Sequence, residues 1–107
     1  MRQYTTPAQT VKLIELGFEK PSSIASVEPI YGMGGISVAK AYSIGELLSF
    51  LPLSLENDDY YILTIRGSKV MYCDPYLDWI EAEWVKHEEL IDNLFDACVE
   101  LKGEEVI

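Results

Sequence analysis

Apolar positions change period along this 107-residue chain, and each change marks a different kind of element. Val11, Ile14 and Phe18 recur at i, i+3 and i+7, the spacing of one face of a helix. That helix has a defined start at Thr6-Pro7-Ala8-Gln9. Threonine at the N-cap accepts the Gln9 backbone N–H, the glutamine side chain reaches back, and proline suits the first helical position. Gly17 supplies the left-handed residue that stops it. A helix over residues 7–16 is too short to stand alone and must dock. Ser43-Ile44-Gly45-Glu46 is a second capping box, Leu47, Leu48 and Leu51 give that helix an apolar face, and Pro52 ends it.

The period then drops to 2. Tyr60–Arg66 is rich in strand formers, Gly67-Ser68 reads as a two-residue hairpin turn of type II′, and Lys69–Cys73 returns. Asp74-Pro75 closes the hairpin. Residues 77–86 fit two templates. Ile80, Ala82 and Trp84 alternate with acids as in a strand, yet Leu77, Ile80, Trp84, His87, Ile91, Leu94, Cys98 and Leu101 also fit helical spacing. The preferred reading is a strand at 78–84, then a helix from about 87 to 102 ending at Gly103. One helix from 76 to 102 is the alternative. Upstream, Pro29 makes Ile24–Tyr31 an edge strand or an extended loop, and Ile36–Ala39 a short strand.

These elements predict one small α+β domain spanning residues 1–107. Its core is an antiparallel three- to four-stranded sheet, with two short N-terminal helices and a C-terminal helix on one face. Composition agrees, since 49% hydrophobic and 11% aromatic residues can bury a core. No apolar run approaches the roughly 20 residues needed to span a bilayer. Residues Met1 to Pro7 lack the apolar stretch of a secretory signal. The expected setting is cytoplasmic, with Cys73 and Cys98 as reduced thiols.

Charge changes the picture most. The formal net charge is −10. Residues 1–54 carry a net of 0, residues 55–73 carry −1 and residues 74–107 carry −9. Such acidity argues against direct nucleic-acid binding, where basic groups replace counterions. Glu88, Asp92, Asp96 and Glu100 recur every four residues, which puts them in one helical wedge about 120° wide. Like charges at this spacing cost about 1 kcal/mol over three pairs. The wedge is therefore either a solvated face or a binding site for a cationic partner. In both cases neutralising it should leave the fold intact. Stacked carboxylates on one helix do not make a metal site, and none is expected.

Other chemistry is sparse. Cys73, Cys98 and His87 are the only nucleophile and base candidates, and no local signature frames them. Gly32-Met33-Gly34-Gly35 is glycine-rich but lacks the pattern of a phosphate-binding loop. No cofactor is implied. Tyr60, Tyr61, Tyr72, Tyr76, Trp79 and Trp84 gather around the predicted sheet. Alternation turns part of this set outward, and Tyr61, Tyr72 and Trp79 are the candidate aromatic surface for a partner or a second copy.

Three landmarks occur in order: Thr6-x-x-Gln9 with Leu16-Gly17; Tyr42-Ser43-Ile44-Gly45-Glu46-Leu47-Leu48-x-x-Leu51-Pro52; and a Tyr-rich hairpin followed by Leu90-Ile91-Asp92-Asn93-Leu94-Phe95. This order resembles a group of small uncharacterised phage and mobile-element proteins of gut Bacteroides-type bacteria. The resemblance implies a strand at 78–84 and a bacterial or phage cytoplasm, and it carries no activity. The expected function is thus a non-enzymatic protein-binding or accessory protein of a phage or mobile element, able to self-associate. An acidic nucleic-acid mimic that binds a host DNA-binding protein is the alternative, and a small thiol enzyme the second.

Overall fold

The computed structural model describes residues 2–22, 24–26, 38–55, 61–74 and 80–107, with backbone alone at 24–26 and 38–39. The Gly32–Gly35 loop and Trp79 lie outside the described residues.

Helix α1 spans Pro7–Glu15, and its capping box forms as expected. Gln9 N–H donates to Thr6 Oγ1 at 3.2 Å and Thr6 N–H to Gln9 Oε1 at 2.9 Å. Gly17 takes φ +97°, and Phe18 N–H returns to the Leu13 carbonyl at 3.2 Å. Leucine and phenylalanine thereby close a Schellman end. The buried face differs from the expected one. Thr10 and Leu13 are buried, while Val11 and Ile14 face outward. A hydroxyl chain fixes this rotation: Tyr42 N–H donates to Thr5 Oγ1, the Thr5 and Thr10 hydroxyls are 2.7 Å apart, and Thr10 donates to the Thr6 carbonyl. A buried Thr10 is thus satisfied, and α1 is turned so that Leu13 enters the core.

Helix α2 spans Ile44–Phe50 and carries the second capping box, Ser43 with Glu46. Strands β1 (Ile24–Ser26) and β2 (Val38–Lys40) pair antiparallel with each other. They form a separate two-stranded sheet and do not extend the main one.

The main sheet has three strands in the order β3-β4-β5, all antiparallel: β3 Ile62–Arg66, β4 Lys69–Cys73 and β5 Ile80–Trp84. Gly67 turns the hairpin at φ +61°. Strand β5 settles the ambiguous stretch against one continuous helix. Its register shifts between Tyr72 and Cys73, so Ala82 faces Tyr72, Ile80 faces Cys73, and Glu81 is the extra residue of a bulge.

Central strand β4 is buried from Val70 to Cys73. This corrects the reading of Tyr72 as part of an aromatic surface. Its side chain is fully buried, its hydroxyl donates to the Pro52 carbonyl at 2.7 Å, and its ring meets Trp84 edge-on at 6.1 Å. Tyr61 is half-buried against the same core.

Helix α3 spans Leu90–Gly103 and packs on β4 and β5, with α2 packed on α3. Leu47, Tyr72, Trp84, Ile91, Leu94, Cys98 and Leu101 meet in this core. The helix starts three residues later than expected, so Glu88 lies outside it. Its last helical residue is Gly103, as expected, with Glu104 at the C-cap. Glu105 takes φ +60°, with Glu105 N–H on the Lys102 carbonyl at 3.1 Å and Val106 N–H on the Leu101 carbonyl at 2.9 Å. This is again a Schellman end, in the register that folds apolar Val106 back over Leu101. A left-handed residue at Gly103 would have placed charged Glu104 there instead. Side-chain-bearing residues are strained in this left-handed region by roughly 1–2 kcal/mol. Glu105→Gly is therefore expected to raise the unfolding free energy by about 0.5–1 kcal/mol, and Gly17→Ala to lower it by a similar amount, in urea titrations.

Candidate functional site

The acids of α3 divide into two groups. Asp92, in the first turn, accepts from the Arg2 guanidinium and from Gln9 Nε2 at 2.8 Å. Arg2 backbone N–H also donates to Glu89 at 3.0 Å. The N-terminal segment is thereby held across the start of α3. Partial burial pushes the Asp92 carboxyl up, but the Gln9 and Arg2 hydrogen bonds, with the charges of Arg2 and His87, outweigh it. The net effect holds this carboxyl below its ordinary value of 3.8.

A lowered folded-state value stabilises the protein above the ordinary carboxylate range, and that contribution is lost as pH falls through the folded value. Wild type should thus lose stability between about pH 5 and pH 3, and Asp92→Asn should lose less over that range. Denaturant midpoints against pH measure the difference.

Asp96 pairs with His87 Nε2 at 2.7 Å. Asn93, between these two acids and fully buried, ties the approach to α3 together. Its amide donates to the Ser68 carbonyl at 2.7 Å and to the His87 carbonyl at 3.0 Å, and its oxygen accepts from His87 N–H at 3.0 Å. Sequence reasoning missed this residue, although a polar side chain three after Leu90 and one before Leu94 interrupts the apolar face.

The second group faces outward. Glu100 accepts from Trp84 Nε1 at 2.5 Å and, with Glu81 on the β5 bulge and Glu104 at the helix cap, rims a groove of about 320 Å³. The floor is apolar: Leu55, Ala82, Leu101 and Val106. Glu81, Glu100 and Glu104 are all solvent-exposed.

The chain's cations do not answer these acids. All eight Lys and Arg residues and the one His lie among the described residues. Ion pairs there join Arg2 to Asp92 and His87 to Asp96, both away from the groove. Lys102, on the same turn of α3, sets its ammonium over the Phe18 ring at 5.4 Å from the centroid.

The sulfur chemistry is muted. Cys98 is buried among apolar side chains, and burial pushes its thiol up to about 12. Cys73 is buried and donates to Thr64 Oγ1 at 3.3 Å. Among the described residues no three His, Cys, Asp or Glu side chains gather as metal ligands, and no helix is long and apolar enough to cross a membrane.

No protein-family description, curated protein or solved structure matches this chain.

Proposed function

We propose that the protein is a non-enzymatic protein-binding module, an accessory protein of a phage or mobile element, that receives a basic protein partner at the C-terminal end of α3. The observation that carries this reading is the groove rimmed by Glu81, Glu100 and Glu104, with which no cation among the described residues forms an ion pair. Exposed carboxylates left in this state attract cations and steer charged partners on approach. The buried, largely protonated Cys98 thiol supports a binding role over a thiol enzyme.

A nucleic-acid mimic is the weaker reading. Such a mimic would present the row of Asp92, Asp96 and Glu100, yet Arg2, Gln9 and His87 already engage the first two of those carboxylates. Self-pairing through the β5 edge is disfavoured as well, because antiparallel copies would bring Glu81 and Glu83 beside their own kind.

The test is retention of basic proteins from a bacterial lysate on immobilised wild type and on Glu81→Gln/Glu104→Gln. Retention that is salt-sensitive and lost in the double variant is expected. Equal retention by both proteins removes this site from the function.

A further inference from the structure

Resting on that reading, we propose that the groove is a seat for a short basic and apolar segment of the partner, in which a lysine or arginine stem lies on the floor and its charged head meets the rim. The groove's volume of about 320 Å³ lies at the low end of the roughly 300–1,000 Å³ seen for small-molecule sites, which suits one or two side chains better than a large cofactor.

Leu101 and Val106 offer apolar surface, while Glu81 on β5 and Glu104 at the end of α3 come from different elements and flank it. A long basic side chain has this same division, an aliphatic stem under a cationic head. A simple cation would leave the apolar floor uncovered, and an apolar peptide would leave the carboxylates unanswered.

The rim's charge calls for a cationic partner. Among the described residues no Lys, Arg or His forms an ion pair with Glu81, Glu100 or Glu104, and Lys102, two positions from Glu100 and Glu104, sets its ammonium over the Phe18 ring. The Schellman end at Glu105 holds Glu104 and Val106 in place, so the seat is formed before a partner arrives.

The experiment is an NMR titration of the full chain with a synthetic peptide of alternating lysine and leucine. Three controls accompany it: the same peptide with every lysine acetylated, an oligolysine of equal charge, and the Glu81→Gln/Glu104→Gln variant. The expected result is amide shifts confined to residues around Glu81, Ala82, Glu104 and Val106, with affinity falling roughly tenfold in the variant and for either control peptide. Equal binding of the acetylated peptide or of oligolysine overturns the proposal, as do shifts centred on Arg2, Asp92 and His87. If lysate retention depends on Glu81 and Glu104 while this peptide leaves the groove unshifted, the seat is wrong and the protein-binding reading stands. Loss of both results removes both. Retained amide dispersion in the variant confirms that its fold is intact.

Discussion

Asn93→Leu should unfold at a free energy about 3 kcal/mol below wild type. The leucine fits the apolar face of α3, so the loss is not one of packing. It comes from three backbone groups: the Ser68 carbonyl, the His87 carbonyl and the His87 N–H all lose their partner. Each buried polar group left unpaired costs roughly 1–3 kcal/mol, with water able to reach part of this set because His87 is only half-buried. Asn93→Asp should be worse at neutral pH, since a charged carboxylate would face two carbonyl oxygens. Its folded-state carboxyl would be raised, so the penalty is full above that raised value and shrinks as pH falls through it toward the ordinary carboxylate range. Urea unfolding of both variants at pH 7 and pH 5 separates lost hydrogen bonds from buried charge.

Tyr72→Ala should cost about 4 kcal/mol, the scale of deleting a large buried aromatic side chain. The fully buried ring fills the space between β4 and α3 and meets Trp84 edge-on. Tyr72→Phe keeps the ring and removes the hydroxyl bond to Pro52, and should cost about 1 kcal/mol. The pair of variants also distinguishes core from surface. A Tyr72 that served a docking face would tolerate both changes in stability and fail in binding. Here the expected pattern is the reverse, with binding at the groove unchanged in Tyr72→Phe.

Local rules made much of the fold legible. Both capping boxes, the Gly17 end of α1 and the Gly67 hairpin depend on residues a few positions apart, and all four form where the spacing puts them. Strand β5 was legible only as one of two readings, since Ile80, Ala82 and Trp84 also fit a helical stripe. What failed to show was long-range. Alternation identifies two faces of a strand but does not say that a central strand is covered on both, and this is why Tyr72 reads as outward. The rotation of α1 depends on a hydroxyl chain from Tyr42 through Thr5 to Thr10, and residues 37 apart leave no periodic trace. The helix ends at Gly103 as expected, but the left-handed residue that follows is Glu105 and not a glycine, in the register that packs partly buried Val106 against the core.

The acidic wedge shows the same limit. Its spacing was visible, but its partners were not, for Arg2 and Gln9 lie more than 80 positions from Asp92. The expectation that neutralising the C-terminal acids leaves the fold intact therefore holds for one group of them and not the other. Asp92 and Asp96 fasten the start of α3 to the rest of the molecule. Glu81 and Glu104 face solvent at its end and form no ion pair among the described residues.

That division is tested most directly by one measurement, the urea unfolding free energy of two charge-matched double variants. Asp92→Asn/Asp96→Asn should lose about 1–2 kcal/mol, the sum of the partly exposed Arg2 ion pair and the hydrogen bonds to Gln9 and His87. Glu81→Gln/Glu104→Gln, which removes the same formal charge, should stay within about 0.5 kcal/mol of wild type. Equal losses in the two variants, or a larger loss in the second, would contradict the account.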